Sequence, residues 1–148
     1  MVIRLSIRRK VDLKAFESGI NLLLYRIMAD VRILTPTGWA PPVDGVIDTG
    51  NPVTILPRSV WNEASVQLLT RTSRPIHGLG STDASAIRGR LGRVFLSLAD
   101  AEASSPPLET MAYLLDDDRS PLLLGCEGIL TRGILRAGLG ALQASLEF

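Results

Sequence analysis

The residues of this chain best suited to chemistry are Asp48, Thr49 and Gly50. They stand between two apolar segments, residues 45–47 and 54–56, that favour short β-strands. We expect Gly50 to let the backbone turn sharply at positive φ. A carboxylate on such a turn can form one half of a pair that activates water by general acid and base chemistry. The alternative is an ordinary β-turn between two buried strands.

Two later segments favour the chemical interpretation. A glycine-rich turn between β-like segments comprises Ile76, His77, Gly78, Leu79 and Gly80. Beyond it, the apolar segment 121–124 ends at Gly125, and residues 127–130 favour the start of a short helix. An ordinary hairpin is the alternative for the glycine-rich turn, because two glycines one residue apart specify little. The turn is not a dinucleotide-binding motif, since Asp83 stands where that motif requires a third glycine.

The order of these elements resembles that of the retropepsin-like aspartic proteases. That family has two apolar residues before Asp-Thr-Gly, then a glycine-rich flap, then two apolar residues and a glycine before a short helix. The resemblance covers about residues 43–148, and residues 144–148 are similar to the final strand of the retroviral enzymes. It implies an all-β fold, a closed barrel with a flap hairpin and one short C-terminal helix. It also implies a homodimeric endopeptidase that acts on an extended peptide or protein substrate.

The expected chemistry needs a second copy of the chain. Two carboxylates about 3 Å apart can serve as base and acid, because like charges that close share one proton. This chain holds one Asp-Thr-Gly, so Asp48 must face Asp48 of a second copy across a two-fold axis. The resemblance implies the same arrangement. It further implies that Thr49 braces the two loops, that Gly50 lets the backbone approach the carboxylate, and that residues 76–80 close over the substrate.

Three positions depart from the family pattern. Asn51 follows Gly50 where the family usually has Ala or Ser, and its amide could donate to Asp48. Pro52 lacks the N–H that the residue at this place usually donates to the substrate. Cys126 stands where the retroviral enzymes carry an Arg, whose partner Asp is replaced here by Pro52, so both partners change together. The alternative to an active enzyme is a weak or inactive module of the same fold that dimerises or binds peptides.

Composition limits the other classes of function. With 148 residues, 46% of them hydrophobic, the chain can bury one substantial core, which predicts a single domain over residues 1–148. A net charge of +1 gives no reason to expect a nucleic acid partner. The single cysteine, Cys126, cannot form an internal disulfide and, with no secretory signal visible, predicts a cytoplasmic protein. We expect no metal and no cofactor. A Cys126–His77 catalytic pair is a less favoured alternative.

Patterns of polarity predict the elements. Strands are expected over residues 2–8, 29–34 and 111–115, and one helical turn near Trp61. Between residues 87 and 98 the apolar positions shift from odd to even, which predicts a bulge or turn near Gly92. Many short strands, few helices and no long repeat favour a closed all-β domain.

The most apolar early segment, residues 20–34, is not expected to cross a membrane. It is interrupted by Arg26, Asp30 and Arg32, whose charges are too costly in a bilayer. We interpret it as part of the protein core and expect no membrane partner.

Overall fold

The computed structural model describes residues 1–79 and 86–148 and is mostly β, with 49% of residues in strands and 8% helical. The all-β prediction is therefore confirmed. The strands are β1 (Val2–Val11), β2 (Leu23–Thr35), β3 (Gly38–Trp39), β4 (Val43–Ile47), β5 (Thr54–Leu56), β6 (Gln67–Leu68), β7 (Arg74–Pro75), β8 (Arg88–Ala99), β9 (Leu108–Leu115), β10 (Leu123–Leu124), β11 (Ile134–Gly138) and β12 (Gln143–Glu147). The helices are α1 (Leu13–Glu17), α2 (Arg58–Trp61) and a 3-10 helix (Leu130–Arg132).

Six strands close into a barrel in the order β2, β4, β10, β5, β9 and β8, with β8 pairing back onto β2. The pairs β4–β10 and β5–β9 are parallel, and the other four pairs are antiparallel. Closure leaves no free edge among these six strands, so every barrel strand is held on both sides. The prediction of a closed barrel is confirmed.

The two ends of the chain form an additional small sheet beside the barrel. β12 lies between β11 and β1, with Ile3 opposite the buried Leu146. The expected final strand at residues 144–148 is thus present as β12. The expected short C-terminal helix is present only as the three-residue 3-10 helix. The helical turn predicted near Trp61 is present as α2.

Two strands of the barrel place neighbouring residues in two different apolar clusters. Leu56 of β5 and Leu114 of β9 lie in the main core. Ile55 and Leu115, the residues beside them, lie in a smaller second cluster. Because apolar groups cover both faces, adjacent residues at these positions are both apolar and do not alternate with polar residues.

The bulge predicted near Gly92 is wrong. β8 pairs with β9 in one unbroken register along its whole paired length. The shift in phase has another cause, since Ile87, just before β8, packs into the second cluster, whereas Val94, further along, packs into the main core. The apolar side of the segment changes because the cluster that it faces changes.

The interpretation of residues 20–34 as core is wrong for its first part. Met28, Ala29, Val31 and Ile33 are buried, but Ile20, Leu22, Leu23, Leu24 and Tyr25 are exposed. The cause is the pairing of β2. Its residues before Met28 pair only with β1 among the described strands. No helix among the described residues is long and apolar enough to cross a membrane.

Candidate active site

Asp48 lies at the point where β4 leaves the barrel. The parallel neighbour β10 holds this point through the backbone, since the Asp48 N–H donates to the Leu124 carbonyl at 2.9 Å. The Val46 N–H donates to the Leu122 carbonyl at 2.9 Å on the same side. Ile47, between them, is buried in the main core. The position of the Asp48 backbone is therefore fixed by the barrel itself.

The turn after β4 supplies one hydrogen bond to each oxygen of the Asp48 carboxylate. The Gly50 N–H donates to Oδ1 at 3.0 Å, and the Asn51 side-chain amide donates to Oδ2 at 3.3 Å. The Asn51 N–H also closes the turn onto the Asp48 carbonyl at 3.3 Å. Asp48 is half-buried, while Thr49 and Gly50 are exposed. The carboxylate is held in one orientation and remains open to solvent.

Gly50 does not adopt the positive φ expected of it, so that prediction is wrong. A Cβ built on Gly50 would lie 3.4 Å from Asp48 Oδ1, an ordinary van der Waals contact. The turn is closed by hydrogen bonds to Asp48 and does not depend on a left-handed backbone.

A second segment crosses directly beneath this turn. The Cys126 N–H donates to the Asn51 carbonyl and the Glu127 N–H to the Pro52 carbonyl, both at 2.9 Å. The Gly125 N–H donates to Thr54 Oγ1 at 3.2 Å. A Cβ on Gly125 would overlap the carbonyl group of Val53, so the two backbones approach as closely as only glycine allows.

The Glu127 side chain anchors this crossing to β9. Its Oε2 accepts the Met111 N–H at 2.6 Å, and its backbone carbonyl accepts the Thr110 hydroxyl at 2.6 Å. Gly128 follows at φ +73°, a conformation that L side chains rarely adopt. Sequence reasoning missed Glu127, and the signal that could have indicated it is the pair of glycines on either side of Cys126 and Glu127.

Most of the predicted site residues line one cleft of about 400 Å³. Asn51 and Pro52, noted in the sequence only as departures, line it as well. Thr49 is not part of the lining, and its carbonyl oxygen lies 3.5 Å from Cys126 Sγ. Gly80 lies outside the described residues. The cleft is lined by Asp48, Gly50, Asn51, Pro52, Ile76, His77, Gly78 and Leu79.

The wall of the cleft opposite Asp48 is the candidate flap segment, residues 76–79. β7 pairs antiparallel with β8, and the Ile76 N–H donates to the Ile87 carbonyl at 2.8 Å. Ile76 and Leu79 are half-buried and pack against the second apolar cluster, whereas His77 is exposed. Gly78 has φ +91° and turns the chain between them. The two apolar side chains therefore hold the segment against the second cluster, while its residues line the cleft together with Asp48.

Among the described residues, the cleft is lined by two side chains that can exchange a proton, Asp48 and His77. No group of three or more His, Cys, Asp or Glu side chains among residues 1–79 and 86–148 could hold a metal ion. The Glu127 carboxylate is occupied by the β9 backbone. His77 and Cys126 make no hydrogen bond to each other among the bonds that the structure describes. Among the described residues that line the cleft, Asp48 is the one that carries a carboxylate.

Comparison with known proteins adds no identification. No family model matches this chain, and no curated protein matches its sequence.

Proposed function

We propose that this protein is a homodimeric, retropepsin-like aspartic endopeptidase in which Asp48 and Asp48 of a second copy activate water for peptide hydrolysis. The observation that carries the proposal is the Asp48 carboxylate at the floor of the cleft. Each of its oxygens accepts one N–H, and the turn that holds it is tied to the barrel through β10. One chain supplies one such carboxylate, so the active form is a dimer.

The reaction follows from the protonation of the pair. Two carboxylates in close contact share one proton, so the ionised one accepts a proton from the attacking water. The protonated one donates to the oxygen of the scissile carbonyl, and the leaving nitrogen then receives a proton as the C–N bond breaks. The N–H donors of Gly50 and Asn51 keep the carboxylate oriented for this exchange.

The substrate class follows from the shape of the cleft. An extended peptide can lie between the Asp48 turn and the candidate flap segment and form backbone hydrogen bonds as an added strand. Ile76 and Leu79 present an apolar underside, which suits substrates with apolar side chains on either side of the cleaved bond.

A specific observation favours a second candidate, a peptide-binding module with weak or no activity. Pro52 lines the cleft without an N–H, and its carbonyl already accepts the Glu127 N–H. A peptide bound there loses one backbone partner, which costs about 0.5–1.5 kcal/mol of binding free energy. The two candidates differ in turnover and share the dimer and the bound peptide.

The test is hydrolysis of a peptide library by the wild type and by Asp48→Asn. The amide has nearly the same shape as the carboxylate but cannot accept the water proton, so the rate should fall at least about a hundredfold. Asp30→Asn, which changes an exposed aspartate on β2, is the matched control and should keep full activity. Activity should be highest at acidic to mildly acidic pH and blocked by inhibitors that carry a hydroxyl group in place of the scissile carbonyl.

Two results would count against the endopeptidase. Full activity in Asp48→Asn would assign the chemistry to other residues. Peptide binding without cleavage in the wild type at any pH would favour the inactive module.

A further inference from the structure

A two-stranded arm extends from the barrel over residues 7–27. β12 pairs with β1 only as far as Leu5, and β4 pairs with β2 only from Met28 onward. Between these points β1 and β2 pair with each other alone, ending at Val11 opposite Leu23. α1 caps the tip, with the Asp12 carboxylate accepting the N–H groups of its first turn. A two-stranded ribbon of this kind has marginal stability in water unless something packs against it.

The arm is the most apolar exposed part of the described chain. It holds eight of the eighteen large hydrophobic residues that are exposed among residues 1–79 and 86–148. Monomeric soluble proteins rarely expose so many apolar side chains together, and such patches mark interaction sites. The eight are Val11, Leu13, Phe16, Ile20, Leu22, Leu23, Leu24 and Tyr25.

The two faces of the arm differ in character. The pairs on the side of the strands that faces the core further down, at Leu5, are Ile7 opposite Ile27, Arg9 opposite Tyr25 and Val11 opposite Leu23. On the other face the pairs are basic or mixed, because paired residues of antiparallel strands share a face. These are Arg8 opposite Arg26 and Lys10 opposite Leu24. The arm therefore carries a mainly apolar face, with Arg9 as its one basic residue among these pairs, and a more basic face on its outer side.

The arm leaves the barrel at the end that carries Asp48. β4 runs antiparallel to β2 with Val46 opposite Met28. Two residues further along β4 is Asp48, and the same step along β2 leads to Arg26, within the arm. A second copy that brings its own Asp48 to this end must approach the arm.

We infer that the arm is a dimerisation arm, whose apolar face packs against the second copy of this chain. The inference rests on the proposed function, since that function requires a second copy at the Asp48 end. Without Leu24, which lies on the basic face, the exposed fractions of the other seven side chains add up to about three and a half whole side chains, on the order of 500 Å² at roughly 150 Å² each. Two arms in a dimer supply about twice this area, which approaches the lower limit for a specific stable interface.

A charged lipid surface is the competing occupant, because basic and apolar groups together also bind anionic membranes. The side of the arm on which the apolar face lies favours the second copy. The apolar face continues the core-facing side of β1 and β2 and faces the space beyond the barrel end, where the other barrel must come. Three basic residues of the paired strands, Arg8, Lys10 and Arg26, lie on the opposite face, and Arg9 alone lies on the apolar one. A lipid surface that took up the apolar face would therefore leave most of the basic groups turned away from its headgroups.

The experiment measures the dimer dissociation constant of the full chain by sedimentation equilibrium. The test variant carries Leu13→Ser and Phe16→Ser, two exposed residues three positions apart on α1 that share one face. Since each dimer has two arms and four side chains are lost, the dissociation constant should rise about a hundredfold or more. The matched control, Leu68→Ser with Phe95→Ser, removes exposed residues of the same types from β6 and β8 and should change it less than about threefold.

The other outcomes each count against the arm inference, the endopeptidase proposal or both. Equal dissociation constants for the arm variant and the control would overturn the arm inference and leave the endopeptidase proposal standing. A dimer that needs the arm but hydrolyses no peptide would overturn the endopeptidase proposal and leave the arm inference standing. A wild type that stays monomeric at high concentration would overturn both.

Further measurements check that the variants fold and that the arm does not bind lipid. Circular dichroism should show the native fold in every variant, and Ile20→Ser, at the turn of the arm, should weaken the dimer in the same direction. Wild-type monomers that bind vesicles of phosphatidylcholine and phosphatidylserine, with binding lost in the arm variant, would overturn the inference in favour of a lipid surface.

Discussion

At the scale of single residues, Gly125 controls how closely the two segments beneath Asp48 can pack. Gly125→Ala would drive a methyl group into the Val53 carbonyl, a backbone group that cannot move aside cheaply. We expect the free energy of unfolding to fall by about 1–3 kcal/mol, as for other overpacked sites. Urea denaturation measures it.

Gly140→Ala is the control for this prediction. No atom lies within 4 Å of a Cβ at Gly140, so Gly140→Ala should change the free energy of unfolding by less than about 0.5 kcal/mol. Equal stability of Gly125→Ala and Gly140→Ala would show that the crossing tolerates a side chain and would remove this account of Gly125.

The candidate site could be predicted from the sequence where it depends on local order. Asp48 and residues 76–79 are recognisable because a tight turn and a glycine-rich turn follow apolar segments, and the structure places them in one cleft. Glu127 could not be found in this way. Its role depends on the backbone N–H of Met111, a partner on another strand that the flanking glycines do not identify.

At the scale of the elements, alternation predicted strands well where one face meets one core, as along Ala29, Val31 and Ile33. It failed at β8, because a segment that passes from one apolar cluster to another gives the same shift in phase as a bulge. It also failed for residues 20–26, since exposed apolar residues and apolar residues of a core have the same sequence pattern.

Asp100 joins β1 to the loop after β8, and its protonation should affect stability. The hydrogen bond from the Arg4 N–H at 2.7 Å, with further bonds from Glu102 and Ala103, lowers the pKa of Asp100 below its ordinary value of 3.8. A carboxyl whose pKa is lowered on folding stabilises the protein above the ordinary value and loses this effect as pH falls through the lowered pKa.

Asp100→Asn should therefore melt at a lower temperature than the wild type at neutral pH. An amide offers one acceptor oxygen, whereas Asp100 uses both of its oxygens. The difference in melting temperature should shrink as pH falls below 3.8, because the wild-type carboxyl then becomes protonated. Thermal unfolding across a pH series measures this, with Asp30→Asn as the control. A difference that stays constant down to acid pH would show that the ionised form makes no contribution.

At the scale of the whole molecule, the barrel is complete in one chain but the proposed catalytic pair is not. All six barrel strands come from residues 23–124 of a single copy, so folding does not require a partner. The half-open cleft, the single Asp48 carboxylate and the apolar arm all lie at one end. Under the proposed function, the dimer therefore serves catalysis and is separate from the stability of the barrel.

Mixed dimers test whether the active site is shared between two copies. Wild type and Asp48→Asn are combined in equal amounts under conditions that allow exchange of subunits. If each site needs both carboxylates, only wild-type pairs are active, and random assembly leaves about a quarter of the activity of unmixed wild type at the same total concentration. If each chain acted alone, about half would remain.

Mixing with Asp30→Asn controls for the mixing procedure and should leave the activity unchanged, because that variant keeps Asp48.

The arm variant, Leu13→Ser with Phe16→Ser, tests whether activity depends on the dimer. Its chains should lose activity on dilution at concentrations where the wild type keeps it, and should recover when the protein is concentrated, since their Asp48 turns are intact. The Asp48→Asn mixture must be measured at a concentration where sedimentation shows dimers that exchange. Half of the activity there would mean that each chain acts alone and that the paired-carboxylate mechanism is wrong for this protein.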